Sequence, residues 1–388
     1  MTDKPLFVYA EAPPLGENVV THGMYRAATP MLRAIKDATA GIALFPWDRR
    51  FRPAMLDPQL APLCTTAPTV YAWIRTASRR LNLPHSRLME RVAAATIGPQ
   101  AKHSSASHIL CLEGSDPDAL ANVARIAARA GKPFSVYVVD DFLTPMRLAG
   151  EREYVIAKAA ERARAALQKA SHVFSISDGL GRLFEKEFGV HPTTLPLVFE
   201  LGQEYAQEVR KQIIFVGSVN FLYEDALRAL VEDVGAVRTE TGEDLTIRFT
   251  SMSANMLGEL PSYVHVEPLG SAESLAREIS ASLFAFLPYS FNPKVANMVR
   301  TSFPSKLMEY LAHARSIVAF APDYANSTAY FLAHGLPEVI HDRAALRLVV
   351  RQHLREAPVH SALYRRQLRQ VHAPQAARQT ILSTLFGA

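Results

Sequence analysis

Thr301-Ser302-Phe303-Pro304-Ser305-Lys306-Leu307-Met308-Glu309-Tyr310 is the stretch on which the reading of this chain turns. Pro304 suits the first position of a helix, because the N–H it lacks is not needed there and its fixed φ is already helical. A helix is therefore predicted over Pro304 to Ala314. The N–H groups of Ser305 and Lys306 then lie unpaired at the positive end of the helix dipole, which attracts phosphate. Lys306 and Glu309 are three residues apart and share a face, so a cation sits over a diphosphate while a carboxylate one turn on accepts from ribose hydroxyls. The plain alternative is a surface Lys–Glu pair worth a few tenths of a kcal/mol. It explains less, because the helix follows a long loop, Pro288 to Phe303, that leaves the carboxyl end of the apolar run Leu283 to Leu287. Open α/β sheets bind ligands at such ends.

Outward from this stretch the chain alternates short apolar runs with helical patterns. In the second half, Gln212 to Val216, Leu245 to Thr250, Leu283 to Leu287 and Ile317 to Phe320 read as strands. Tyr223 to Val231 and Ser271 to Ser280 read as helices between them. In the first half, Leu6 to Ala10, His108 to Leu112, Phe134 to Val139 and His172 to Ser175 read as strands. Asp116 to Ala130 is an Ala-rich helix closed by Gly131 and then Pro133. Alternation of this kind predicts parallel βαβ units, an α/β class with two halves. The expected division is 1–198, a linker at 199–211, a second domain at 212–365, and a C-terminal helix at 366–388 that either caps the second domain or crosses back to the first.

Composition closes several alternatives. At 388 residues the chain is long enough for two or three domains. Two cysteines, Cys64 and Cys111, build neither a disulfide framework nor a four-ligand zinc site, which favours a reducing, cytoplasmic setting. The longest apolar run is five residues, so no spanning helix is predicted, and no secretory signal is read at the N-terminus. The net charge of +5 lies entirely in residues 1–200, with 24 Lys and Arg against 19 Asp and Glu, while the remainder is balanced at 18 against 18. Residues 49–102 alone carry nine basic residues against Asp57 and Glu90. Such a cluster meets something anionic. A nucleic-acid partner is not expected, since no recognition module is legible. An anionic membrane surface at the inner face of the plasma membrane fits better, with Trp73, Arg75, Arg79 and Arg80 as the contact.

Two further motifs carry chemistry. Phe215-Val216-Gly217-Ser218 is a strand running into a glycine turn, where the missing Cβ lets backbone N–H groups approach a diphosphate. Plain turn chemistry is the competing reading. Val136-Tyr137-Val138-Val139-Asp140-Asp141 ends a buried strand in two carboxylates, one of them fit for general-base work if the other raises its pKa. The competing reading has Asp140 capping the next element. Thirteen histidines are scattered without metal spacing, and Ser177-Asp178 reads as a helix cap rather than a nucleophile. Neither a P-loop nor a G-x-G-x-x-G is present, which removes those ATPases and dehydrogenases.

Phe303 to Ala312 followed by Ser316-Ile317-Val318-Ala319 resembles the donor-binding segment of GT-B nucleotide-sugar glycosyltransferases that build bacterial surface polysaccharides. Ile214 to Ser218 resembles the strand–glycine turn that opens their second domain, and Ser175 to Leu180, continuing to Phe188-Gly189-Val190, resembles the segment that closes their first. The resemblance implies two Rossmann-like domains with parallel sheets facing a cleft, and a metal-independent hexosyltransferase with no cofactor. It further implies a UDP- or GDP-type sugar donor and a saccharide or lipid-linked acceptor. The retaining members carry a Glu where this chain has Thr301, and the Arg and Lys after their glycine turn are missing from Ser218 to Asp225. The inverting glucuronosyltransferase of xanthan assembly is the closer analogy. By that analogy Lys306 holds the diphosphate, Glu309 and Tyr289 lie near the nucleotide, and Asp141 is the catalytic base. Gly217, Ser218 and Ser305 complete the expected donor site. The rival is a nucleotide-sugar binding protein that keeps the fold and has lost the chemistry.

Overall fold

Leu6 to Ala10 is an unbroken apolar run, and a strand covered on both faces needs that pattern rather than alternation. It forms β1 (Leu6–Ala10), buried at every position. The computed structural model describes residues 6–10, 23–44, 53–66, 86–113, 117–205 and 207–387. Two compact units divide the chain, one holding Met24–Val198 with Pro374–Ala388, the other Phe199–Ala373.

The first unit contains β1, β2 (Thr39–Leu44), β3 (Cys64–Thr66), β4 (His108–Glu113), β5 (Phe134–Val138), β6 (His172–Ser175) and β7 (Thr193–Thr194). They pair in the order β3-β2-β1-β4-β5-β6-β7, parallel throughout. The sequence shows β2 poorly because Gly41 interrupts it. That glycine lies against the Phe7 ring, where a Cβ would come within 3.2 Å. Helix Pro117–Ala130 ends at Gly131, whose φ of 66° suits the left-handed residue that closes a helix. Ser177 caps helix Asp178–Phe188, its side chain accepting from the Leu180 N–H, as expected. Helix Pro374–Phe386 packs in this unit: Arg378 donates to the Ala34 carbonyl at 3.4 Å, and Phe386 meets His108 edge-on.

The second unit contains β8 (Arg210–Phe215), β9 (Thr246–Phe249), β10 (Val264–Val266), β11 (Ser282–Pro288), β12 (Ile317–Phe320) and β13 (Val339–Ile340). Their order, β10-β9-β8-β11-β12-β13, repeats the winding of the first sheet, again all parallel. All seven residues of β11 are buried, which fixes it at the centre. Strand numbering reverses between β8 and β11, and crevices outside the carboxyl ends of such a pair are where doubly wound sheets bind ligands. The Gly217 turn follows β8 and the Pro288–Ser305 segment follows β11, so both quoted motifs flank that crevice.

Three boundaries differ from the sequence reading. The helix begins at Lys306, not Pro304, because the chain first winds tightly: Leu307 N–H bonds the Pro304 carbonyl and Met308 N–H the Ser305 carbonyl. Helix Glu224–Thr241 runs ten residues beyond the expected Val231, to Gly242 at φ 70°. The loop after β11 holds a short helix of its own, Ala296–Thr301. Among the described residues no helix is long and apolar enough to cross a membrane.

Candidate functional site

The turn after β8 is built by its neighbours. Val216 N–H donates to the Tyr310 hydroxyl at 2.8 Å, and that hydroxyl donates onward to the Phe286 carbonyl of β11 at 3.2 Å. Tyr310 thus ties the helix Lys306–His313 to both strands of the crevice. Gly217 N–H donates to Thr250 Oγ1 and Val219 N–H to Ser253 Oγ, so side chains following β9 hold the turn open. Between them Ser218 is exposed, and its N–H has no partner among the described residues. Gly217 has φ 95°, a conformation that side chains disfavour.

Lys306 projects from the first turn of its helix to the underside of this loop. A Cβ at position 217 would stand 3.7 Å from Lys306 Cε and 3.9 Å from Nζ. The amine lies 4.0 Å from the centre of the Phe215 ring and 3.8 Å from that of Tyr223. Nζ is buried and has no hydrogen-bond partner among the described residues. Burial holds its pKa well below the usual lysine value. Gly217 and Lys306, 89 positions apart in sequence, are therefore brought together as expected of one site.

The loop after β11 is pinned at several points. Ser290 N–H bonds the Leu222 carbonyl, and Phe291 N–H bonds Asp225 Oδ2. Tyr289 is fully enclosed; its hydroxyl is committed to Ser302 and its ring packs on Tyr223. It braces the loop from behind, one ring away from the lysine's aromatic surround. Thr301 is buried, its hydroxyl turned back to the carbonyls of Asn297 and Met298. Ser305 and Glu309 are half-buried on the helix that carries Lys306, Glu309 one turn further on.

The paired carboxylates lie in the first unit, just after β5. Asp141 is 3% exposed, and its Oδ1 accepts from Leu143 N–H at 2.9 Å and Thr144 N–H at 3.2 Å, while Oδ2 is buried without a partner. The capping role that the sequence offered to Asp140 thus belongs to Asp141. Asp140 accepts the Asp141 N–H instead, and burial raises its pKa to about 6; the neighbouring Asp141 charge adds to the rise and that N–H opposes it. The β1/β4 reversal of this sheet is one strand away, and residues 11–22 and 114–116, which follow β1 and β4, lie outside the described residues, as do Trp73, Arg75, Arg79 and Arg80.

Sequence reasoning missed the aromatic surround of Lys306 and the bracing by Thr250 and Ser253. Phe215 was in view as the residue before the glycine turn, yet no periodicity reports that its ring faces a lysine 91 positions later. Tyr310 was quoted within the motif, and a tyrosine on a buried helix face calls for a hydroxyl partner.

No family model matches the chain, and no curated protein matches it in sequence. Solved structures match along its whole length. Anabaena Alr3699/HepE, crystallised in complex with UDP and glucose, is 12% identical with a TM-score of 0.66, covering 99% of this chain and 100% of that one. Sucrose-phosphate synthase from Thermosynechococcus elongatus is 11% identical with a TM-score of 0.68 and 99% coverage of both chains. The lipopolysaccharide outer core galactosyltransferase WaaB, in its apo form, is 12% identical with a TM-score of 0.58 and 99% coverage of both. Likeness at this identity speaks for the fold, and the chain has the two-sheet α/β fold of GT-B glycosyltransferases, as the resemblance implied.

Proposed function

We propose that the chain is a glycosyltransferase that moves a sugar from a nucleoside diphosphate sugar of UDP or GDP type to a saccharide or lipid-linked acceptor. The observation that carries this reading is the unpaired Lys306 amine held beneath the Gly217 turn at the β8/β11 crevice. A buried amine without a partner is costly, and an anion placed over the turn removes the cost. In the reaction the leaving diphosphate develops charge at the amino end of helix Lys306–His313. The Ser305 and Lys306 N–H groups and the lysine stabilise it there without a metal ion. Glu309, one turn on, accepts from the ribose.

For an inverting transfer the acceptor hydroxyl must lose a proton. Asp141 was the expected base, but its Oδ1 is engaged as a cap. Asp140 takes that role in our reading, because a carboxylate raised to about 6 is matched to proton abstraction near neutrality. The basic cluster around Trp73 is assigned to an anionic lipid surface at the inner face of the plasma membrane, where a lipid-linked acceptor resides.

Incubating the protein with UDP- and GDP-sugars and following release of the nucleoside diphosphate tests the proposal. A transferase hydrolyses its true donor slowly even without acceptor. A thermal-shift response to nucleotides with no release from any sugar nucleotide would instead support the binding-protein reading.

A further inference from the structure

We propose that Phe215 and Tyr223 form a seat that keeps the Lys306 amine uncharged beneath the Gly217 turn, and that a nucleoside diphosphate binding there draws one proton from solvent onto Nζ. This rests on the donor-site reading above and adds to it a proton that the reading alone does not require.

The geometry argues for the uncharged amine. An ammonium has three N–H donors to satisfy, and Nζ at this position is buried with no hydrogen-bond partner among the described residues. The two ring faces, at 4.0 and 3.8 Å, attract a cation, but that attraction is small against the hydration shell an ammonium forfeits on burial. A neutral amine fits the same place at lower cost. Burial also depresses the lysine's proton affinity.

Among the described residues no acid is positioned to offset this. Tyr223 presents a phenol ring from the turn before helix Glu224–Thr241. On that helix Glu224 is paired with Arg228 and Asp225 accepts the Phe291 N–H. On the lysine's own helix, the Tyr310 hydroxyl is held between Val216 and Phe286, and burial keeps it protonated. Glu309 lies three positions further on the same helix, and burial is the cause of the lysine's depression. Phe215 and the Gly217 turn carry no charge.

When a diphosphate reaches the turn, the Nζ lone pair takes a proton from water and the resulting ammonium donates to phosphate oxygens. Gly217 leaves the lysine tip uncovered on this side, since a Cβ there would lie in contact with it, 3.7 Å from Cε.

Calorimetric titration of the full chain with UDP and with GDP, in two buffers of different ionisation enthalpy between about pH 7 and pH 9, measures the protons exchanged. The seat predicts net uptake approaching about one proton per nucleotide toward the alkaline side, where the free lysine is neutral and the bound one charged. Lys306→Met should abolish the uptake, and Tyr223→Leu should reduce it while nucleotide still binds, because opening the seat restores water to the amine. Binding whose heat is the same in both buffers across that range overturns this inference and leaves the donor site standing. So does uptake that persists in Lys306→Met. If neither nucleotide binds, the donor-site reading fails and this falls with it.

Discussion

Two strand ends, one in each unit, both bury an ionisable group at the carboxyl edge of a parallel sheet, and they settle it differently. After β5, Asp141 meets its burial with bonds from its own chain: Oδ1 takes two backbone N–H groups that a helix start would otherwise leave unpaired. After β8 and β11, Lys306 has two ring faces and, among the described residues, no hydrogen-bond acceptor. A third buried ionisable group, Asp233, shows what a purely structural solution looks like in the same unit, with Arg343 and Arg347 both bonded to it. A group that serves the fold arrives with its partners. One without them fits a place where a partner is supplied from outside, the diphosphate of the donor we propose.

Substituting Lys306 should give the largest effect and break the comparison most sharply. Lys306→Ala should lower turnover of the true sugar nucleotide by about 100-fold or more, the scale for losing one donor to a developing oxyanion. The same change should not destabilise the protein. Lys306→Met should unfold at a higher temperature than wild type at neutral pH, because it removes an unsatisfied buried group costing about 1–3 kcal/mol. Linkage sets the sign with pH. Because the folded pKa is depressed, the unfolded chain binds more protons below the ordinary lysine value, so the wild type gains on the variant as pH rises toward about 10.

Asp140 and Asp141 should separate under substitution. Activity should rise with pH through about 6 as Asp140 ionises, and Asp140→Asn should remove both that limb and most of the rate. A carboxyl raised in the folded state contributes stability below about 3.8 that is lost as pH rises through about 6. Asp140→Asn should therefore be at least as stable as wild type at pH 7 in urea melts. Asp141→Asn should keep the ascending limb but move it to lower pH, because the neighbouring charge that helps raise Asp140 is gone, and should lose about 1 kcal/mol with its cap.

Smaller effects test the scaffold. Tyr310→Phe leaves the buried Val216 N–H unpaired and should cost about 1–3 kcal/mol in chemical denaturation. Gly217→Ala forces a side chain to φ 95°, at about 1–2 kcal/mol. It should also weaken UDP binding in a titration, by straining the turn whose backbone faces the lysine tip.

The strands that build both crevices were legible because parallel strands buried on two faces leave uninterrupted apolar runs, as in Leu283 to Leu287. Short edge strands such as β10 and β13 were not, since two or three residues carry no period. Gly217 and Lys306 were legible as separate motifs, through turn chemistry and a proline-led helix. Their meeting was not, because it depends on how β8 and β11 lie side by side across 66 residues of intervening chain, Val216 to Ala281. The exchange of roles between Asp140 and Asp141 was hidden for a related reason. Which of two adjacent carboxylates meets the next helix is set by the last residue of β5, and sequence assigns strand ends less reliably than strands.

A crystal structure of the protein soaked with UDP tests the central claim most directly. The account predicts the diphosphate over Ser218 and the Ser305–Lys306 N–H groups, with Lys306 Nζ withdrawn from the Phe215 and Tyr223 rings and donating to a phosphate oxygen. UDP bound elsewhere, or bound at the turn with Nζ still between the two rings, would contradict it.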